Sequence, residues 1–429
     1  MQGRKYAFAI VGSGMGGATL ARELSRKGNE VLVIERGKRE KKLGTFQDSL
    51  RYFDANKLTQ VPAKSKEGVV LWRTLMAGGS TVVACGNGVR CLEKELSERG
   101  IDLTQELTEV EKETHTAPID ERLLSEGSRQ IMQASRDLGY KMELMPKFID
   151  PAKCGQCGNC VLGCTKGAKW TALDYLDEAS QGNTEVLYDC TVQQVLIHNG
   201  KATGVRVRGP QGTSDILADN VILAAGGLGT PVILQHSGIQ DAGSSLFVDL
   251  LVNIYGTTKG LNQVHEPTMA LVDLEFHEEK GFLLSPYVNH SRPVRFIEMG
   301  PRGLASSSQT LIGIMTKTRD DAVGRVCPDG SVSKPVTEAD QKRLREGTEV
   351  SKQILVKAGA DPKSIVVTKV QGAHPGGTAA VGKVVDKYLQ TEVDNLFVCD
   401  ASVLPATPGL PPILTIGALA KRLARTLAP

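Results

Sequence analysis

A chain of 429 residues with 41% hydrophobic and 23% charged residues has the composition of an ordinary folded protein of two or three packed units, which excludes a disordered chain. The net charge of +3 comes from 51 basic and 48 acidic residues without a dense basic block, so we expect no nucleic-acid partner. No apolar run approaches the roughly 18 residues that span a bilayer, and we expect no transmembrane segment. Nine cysteines without a secretory signal predict a cytoplasmic, reducing compartment, where clustered thiols serve metals or redox chemistry.

The first predicted elements form a dinucleotide-binding turn. An apolar strand, 7–11, runs into Gly12, Gly14 and Gly17, and an amphipathic helix is predicted to follow. Gly12 permits the turn, Gly14 lets the backbone approach a pyrophosphate, and Gly17 lets the helix pack against the strand. The spacing therefore predicts a βαβ unit with a phosphate at the N-terminus of its helix.

The second strand of this unit, 31–34, ends at Glu35 and Arg36. A carboxylate at this position accepts hydrogen bonds from ribose hydroxyls, so we expect Glu35 to contact a ribose. The continuing pattern resembles the FAD-binding version of the motif.

A glycine-rich loop follows at 71–88. It contains Gly78, Gly79, Ser80, Thr81 and Asn87, and such backbone can lie against a flat cofactor or simply form two turns. The charged stretch 92–140 then predicts two or three surface helices, broken at Pro118.

Four cysteines fall within eleven residues at Cys154, Cys157, Cys160 and Cys164. The C-x2-C-x2-C-x3-C spacing is typical of an iron–sulfur cluster, whereas zinc sites usually have two knuckles separated by a longer spacer. A 4Fe-4S cluster held by all four thiolates is our main prediction. Several alternatives stay open: a 3Fe-4S cluster on the first three cysteines, a fourth thiolate from Cys85, Cys91 or Cys190, a zinc site, or redox-active or structural thiols.

Beyond the cysteines, the pattern predicts a helix at 166–180, strands at 184–207 with a turn at Asn199–Gly200, and a strand at 221–225. The stretch 241–369 alternates short strands with one long helix, 338–358. A buried strand at 396–399, a proline-rich loop at 405–412 and a helix from Thr415 complete the chain.

These residues resemble the glucose-methanol-choline (GMC) family of flavin oxidoreductases, and in particular its cholesterol oxidase-like and long-chain alcohol dehydrogenase-like members. The resemblance rests on four stretches in the family's order: 12–35, 78–80, 221–238 and 374–420. The last contains His374-Pro-Gly-Gly-Thr and Asp400-Ala-Ser, similar to the H-x-x-G-T and D-A-S motifs of the family.

The resemblance implies an FAD cofactor and a small-molecule substrate. It implies that His374 is the acid–base residue, because a neutral imidazole can take the proton of a substrate hydroxyl. Further residues implied at the cofactor are Val192, Ala225, Gly226, Asp400, Ala401, Pro412 and Thr415.

The implied fold class is α/β. A Rossmann-like FAD-binding domain of the GMC type is expected from 1–105, 181–240 and 370–429. A helical segment with the cysteines is expected at 106–180, and a smaller mixed α+β substrate domain at 241–369.

One position departs from the family pattern. The family commonly places a second polar residue beside the base, where this chain has Pro411. Proline has no side-chain donor and no backbone N–H, so another residue has to fill the role. Asn87, His265 and His290 are the candidates we name from the sequence.

A cluster beside a flavin predicts a one-electron protein partner, in the form of an acceptor, a donor or a partner subunit, and argues against direct use of oxygen. The leading hypothesis is a dehydrogenase that oxidises a CH–OH group, with electrons leaving through the cluster. The alternatives are a reductase of a carbonyl or activated double bond, and an electron-transfer subunit.

Overall fold

A computed structural model of the protein describes residues 4–55 and 63–428. Its α-helices are α1 Met15–Arg26, α2 Phe46–Ser49, α3 Glu93–Ser97, α4 Thr104–Glu113, α5 Glu126–Asp137, α6 Ala172–Ser180, α7 Gly226–His236, α8 Glu275–Lys280, α9 Arg292–Met299, α10 Pro301–Ala305, α11 Glu338–Lys357 and α12 Ile413–Leu427. Its strands are β1 Lys5–Val11, β2 Val31–Ile34, β3 Val70–Leu71, β4 Ala117–Pro118, β5 Met142–Leu144, β6 Pro146–Lys147, β7 Thr184–Leu187, β8 Thr191–His198, β9 Lys201–Gly209, β10 Gly212–Leu223, β11 Leu250–Thr257, β12 Leu271–Asp273, β13 Phe282–Pro286, β14 Leu311–Thr318, β15 Arg325–Val326, β16 Val332–Ser333, β17 Val366–Val367, β18 Gln371–Gly372 and β19 Leu396–Val398. Within these two ranges, no helix is long and apolar enough to cross a membrane.

The first sheet has the order β7-β2-β1-β10-β9-β8, with β19 also paired to β10. Strands β7, β2, β1, β10 and β19 run parallel, whereas β10, β9 and β8 form an antiparallel meander. The buried parallel strands, such as β2 with all four residues buried, are continuous apolar runs because helices or loops cover both faces. The carboxyl ends of β1, β2 and β10 meet at one edge, where the glycine turn begins.

The second sheet has the order β3-β18-β11-β14-β13-β12-β5, with β17 also paired to β11. Its strands β11 and β14 pair antiparallel, with Leu251 opposite Lys317 and Asn253 opposite Met315. Helix α11 packs on this sheet. The sheet takes β3, β5 and β18 from outside 241–369, so it is assembled from distant parts of the chain.

Most elements predicted in the first half of the chain are present. The stretch 92–140 contains three helices, and Asn199 and Gly200 have φ angles of +51° and +75°, as expected for a tight hairpin. The helix predicted at 166–180 begins only at Ala172, because Thr171 forms a capping box with Asp174. The last helix begins at Ile413, two residues before the predicted start.

Candidate active site

A cavity of about 830 Å³ lies between the two sheets. This volume falls in the range of small-molecule and cofactor sites, roughly 300–1,000 Å³. Its wall includes the glycine turn at one side and residues of β11 and β14 at the other. A cofactor bound to the first sheet would therefore face the second sheet across the same cavity.

The glycine turn has the close packing that its spacing predicts. Gly12 has φ of +100°, and a Cβ there would lie 2.4 Å from the Ala224 carbonyl oxygen. A Cβ at Gly17 would lie 1.9 Å from the Gly12 carbonyl oxygen, so only glycine lets α1 approach β1 this closely. Gly14 forms the N-terminal end of α1 at the cavity wall, and the first turn of α1 has no acidic residue. The helix N-terminus is thus suited to a phosphate anion.

Glu35 lies at the cavity wall and supports the turn. Its carboxylate accepts hydrogen bonds from the Ser13 amide at 3.0 Å, the Ser13 hydroxyl at 2.6 Å and the Gly37 amide at 2.7 Å. Burial raises the pKa of this carboxyl group, while the three donors favour its ionised form. The Ser13 hydroxyl also accepts from the Gly78 amide at 3.2 Å, which joins the glycine turn to the second loop.

The structure brings most of the other predicted flavin residues to this cavity. Those on its wall are Arg36, Gly79, Ser80, Thr81, Asn87, Val192, Ala225, Gly226, Asp400, Ala401 and Pro412. The Asp400 carboxylate accepts from the Gly226 amide at 2.8 Å and the Thr230 hydroxyl at 2.5 Å, and so joins the end of β19 to the start of α7.

Three predicted residues have supporting positions instead. Gly17 and Gly78 do not line the cavity; both lie behind its wall, where a side chain would be too close to neighbouring atoms. Thr415 is fully buried, and its hydroxyl donates to the Cys91 carbonyl oxygen at 2.9 Å, so it fixes α12 and does not face the cavity.

His374 lies on the opposite wall, in contact with a buried carboxylate. Its Nδ1 is 2.8 Å from Asp249 Oδ2, and the other oxygen, Oδ1, accepts from the Gly409 amide at 3.0 Å. When Asp249 is ionised its carboxylate only accepts, so His374 Nδ1 is then the donor and Nε2 is left as the acceptor. The 24% of the His374 side chain that remains exposed adjoins the cavity.

Lys317 completes this group. Its Nζ lies 3.5 Å from His374 Nδ1 and 3.9 Å from Asp249 Oδ2, and its side chain is almost fully buried at the cavity wall. Burial raises the pKa of Asp249 to about 7 and lowers that of Lys317, and their attraction opposes both shifts. Burial and the Lys317 cation hold the pKa of His374 well below its usual value, so the imidazole is neutral at pH 7.

Comparison with known proteins identifies the family. The family model described as GMC oxidoreductase matches residues 6–250 with its N-terminal part and 328–420 with its C-terminal part. The chain belongs to the GMC oxidoreductase family. It is therefore an FAD-dependent oxidoreductase, and the glycine turn, Glu35 and the cavity fit that cofactor.

Relatives of this GMC oxidoreductase span nearly its whole length. An uncharacterised protein of Methanocaldococcus jannaschii is 32% identical over 98% of this chain and 100% of its own. A long-chain-alcohol oxidase of Arabidopsis thaliana is 24% identical over 96% of this chain and 66% of its own. A solved structure of formate oxidase from Aspergillus oryzae has the same fold, with a TM-score of 0.76 and 17% identity over 100% of this chain and 98% of its own.

Sequence reasoning missed the polar side chains beside His374, the predicted base. Pro411 lies at the cavity wall, but Asp249 and Lys317 are the polar side chains next to His374. The only indication of Lys317 in the sequence is that it is a charged residue near the end of the apolar stretch 311–318.

None of the three residues named from the sequence for this role contacts His374. Asn87 lines the cavity, but its Oδ1 accepts from Lys147 Nζ at 2.5 Å. His265 and His290 do not lie on the cavity wall. A Cβ at Gly158 would lie 2.0 Å from the His290 ring, and Gln156 donates to the His265 carbonyl oxygen at 3.0 Å, so both histidines adjoin the cysteine segment.

The cysteine segment, 154–164, meets the cavity through Val161 and Leu162. In the parts of the chain that the structure describes, no three or more Cys, His, Asp or Glu side chains form a group that could hold a metal ion. The geometry of the described residues thus supports the flavin site and does not show the predicted iron–sulfur site.

Two buried lysines lie next to this segment. Lys169 Nζ donates to the Cys160 carbonyl oxygen at 3.0 Å, and Lys147 Nζ donates to the Cys85 carbonyl oxygen at 2.9 Å. Of the alternative fourth thiols, Cys85 has its pKa raised to about 11 by burial, with a smaller contribution from the nearby Cys160, while Cys91 contacts Thr415.

Proposed function

We propose that this GMC oxidoreductase is a dehydrogenase that oxidises a CH–OH group of a small organic substrate. The observation that carries the proposal is the contact between His374 and the buried carboxylate of Asp249 at the cavity wall. FAD, when bound, supplies the acceptor for the hydride that leaves the substrate carbon.

The side chains around His374 suit removal of the hydroxyl proton. Asp249 holds the proton on Nδ1, which leaves Nε2 free to take the proton of the substrate. Burial and the Lys317 cation keep the imidazole neutral beforehand, and the positive charge of Lys317 favours a developing alkoxide oxygen. Loss of this proton and of a hydride from carbon turns the alcohol into a carbonyl.

We further propose that electrons leave through an iron–sulfur cluster held by Cys154, Cys157, Cys160 and Cys164, to a one-electron protein partner in the cytoplasm. The spacing of the thiols supports this proposal. So do the buried Lys147 and Lys169, because their positive charges would offset the negative charge of thiolate ligands. A cluster in this segment would adjoin the cavity wall.

An anaerobic screen of flavin bleaching against alcohols and sugars tests the reaction. At least one compound should bleach the flavin of the wild type, and His374→Ala should keep its FAD but be bleached about 10²–10⁴-fold more slowly. His198→Ala, at the exposed end of β8, is the matched control. If no compound bleaches the wild type, but a carbonyl compound or enone reoxidises the reduced flavin, the enzyme is a reductase.

Iron and acid-labile sulfide in protein purified without oxygen test the cluster. We expect both in the wild type, their loss in Cys157→Ser, and their retention in Cys327→Ser, whose thiol lies outside the segment. Wild-type protein without iron would refute this part of the proposal. Comparing Cys164→Ser with Cys85→Ser identifies the fourth ligand.

A further inference from the structure

The contact between Asp249 and His374 depends on an unusual stretch of main chain. Asp249 directly precedes β11 and has φ of +51°, a left-handed conformation that is uncommon for residues with a side chain. The carbonyl oxygen of its neighbour Val248 accepts from the amides of Ala373 at 2.8 Å and His374 at 2.9 Å. The same short stretch therefore sets the position of both residues of the contact.

Asp320 holds this stretch from behind the cavity wall. Its carboxylate accepts from the Val248 amide at 3.2 Å and from the Leu250 amide at 3.3 Å, so it binds the main chain on both sides of Asp249. Asp320 is 2% exposed and does not line the cavity. It can therefore act on the chemistry only through Asp249.

Asp320 also supports the loop that contacts the other oxygen of Asp249. The Thr407 hydroxyl donates to the Asp320 carbonyl oxygen at 2.6 Å. Two residues further along, the Gly409 amide donates to Asp249 Oδ1 at 3.0 Å. Both the main chain and the carboxylate of Asp249 are thus held by groups that contact Asp320.

Lys334 fixes the Asp320 carboxylate. Its Nζ lies 2.9 Å from Asp320 Oδ2, and neither side chain is exposed. Burial raises the pKa of Asp320 to about 6, whereas the Lys334 cation favours the ionised form. A buried ion pair gives little net stability because both charges lose their hydration. The position of this pair behind Asp249 indicates a role in the geometry of the site.

We propose that Asp320 is a positioning residue that directs the Asp249 carboxylate toward His374 Nδ1. This inference rests on the proposed function, in which the contact sets the tautomer of the base. Without an acceptor for the two amides, the left-handed conformation of Asp249 loses its support and relaxes, and the carboxylate moves away from Nδ1. The imidazole proton can then move to Nε2, where it blocks removal of the substrate proton.

Two matched double variants separate the hydrogen-bond acceptor from the charge. Asp320→Asn/Lys334→Met removes both charges and keeps one oxygen for the two amides, whereas Asp320→Leu/Lys334→Met has a side chain of similar size and no acceptor. The assay is the limiting rate of flavin reduction by the best alcohol, with FAD content and Tm as checks of folding. We expect a rate within about threefold of wild type for the asparagine variant, and a loss of at least about tenfold at similar substrate affinity for the leucine variant.

The same substitutions in an Asp249→Asn background show whether Asp320 acts through Asp249. There the leucine variant should slow flavin reduction no further, because the contact that it disturbs is already lost. If the leucine variant does not fold, Asp320→Ser/Lys334→Met replaces it in each comparison, since its hydroxyl ends one bond short of the carboxylate oxygens.

Histidine labelled with ¹⁵N gives a measurement that needs no substrate. The signals of His374, assigned by their absence in His374→Ala, should show the proton on Nδ1 in the wild type and the asparagine variant, and on Nε2 in the leucine variant. The inference is overturned if the leucine variant keeps the wild-type tautomer and rate, if both variants lose the rate alike, or if the losses add in the Asp249→Asn background. The expected change of tautomer in an enzyme whose flavin no alcohol reduces would instead refute the proposed dehydrogenase and leave the positioning role standing.

Discussion

Replacing Asp249 with asparagine should slow reduction of the flavin by substrate without releasing FAD. Asp249 Oδ2 faces His374 Nδ1 at 2.8 Å, and Oδ1 accepts from the Gly409 amide at 3.0 Å. Asparagine has one carbonyl oxygen for these two donors. If that oxygen stays with Gly409, the NH2 group faces Nδ1, and the imidazole proton moves to Nε2. His374 then has no free position for the substrate proton.

The magnitude follows from the two possible orientations of the new amide. Turning the oxygen toward His374 instead would leave the Gly409 amide without an acceptor, at a cost of about 1–3 kcal/mol, so the wrong tautomer is favoured. A general base contributes on the order of 10²–10⁴ in rate. We therefore expect the limiting rate of flavin reduction to fall by about 10²–10³, which corresponds to about 3–4 kcal/mol of activation free energy.

The assay is anaerobic rapid mixing with the best alcohol substrate, together with the ratio of bound FAD to protein. Asp249 has φ of +51°, a left-handed conformation that asparagine also tolerates, so the backbone should be kept. Asp215→Asn, at an exposed ion pair on β10, is the control. Wild-type reduction by Asp249→Asn with full FAD content would refute the tautomer argument. A weaker substrate affinity at an unchanged limiting rate would assign Asp249 to binding instead.

Three further predictions concern the base, the glycine turn and the helices behind it. Burial and the Lys317 cation together lower the pKa of His374, so Lys317→Met should let the imidazole protonate at a higher pH and move the acid limb of flavin reduction to higher pH; an unchanged pH profile would contradict this. Gly17→Ala places a Cβ where the Gly12 carbonyl oxygen lies 1.9 Å away, so we expect loss of most bound FAD and a lower Tm; normal FAD content would contradict this. Arg22, Lys421 and Tyr175 donate to Glu113 and lower its pKa to about 2, so Glu113→Gln should cost about 2 kcal/mol in urea unfolding near pH 7, after discounting for solvent. Since the folded-state pKa is depressed, this difference should be present above about pH 4.5 and fade as the pH falls toward 2.

Local features of this protein could be predicted because short stretches of backbone impose them. The turn from Gly12 to Gly17 needs residues without a side chain, and the hairpin at Asn199–Gly200 needs two positive φ angles. Both requirements can be recognised from residue types at adjacent or nearly adjacent positions of the sequence. The resemblance to the GMC family then added His374 and Asp400, which both lie on the cavity wall.

The side chains that contact His374 could not be predicted from the sequence in this way. Asp249 and Lys317 are separated from it by 125 and 57 residues, and no short motif marks either of them. The register of β11 against β14 puts Lys317 level with Leu251 and thereby beside Asp249.

The sequence by itself determined the family, the flavin-binding turn and the four cysteines, because each depends on residues close together in the chain or on several motifs in order. The tertiary structure decided which side chains surround His374. It placed Lys317 beside the imidazole, whereas Pro411 offers no polar side chain, and it placed His265 and His290 at the cysteine segment. Strand register and helix packing bring distant residues together, and the spacing of a single motif predicts neither of them.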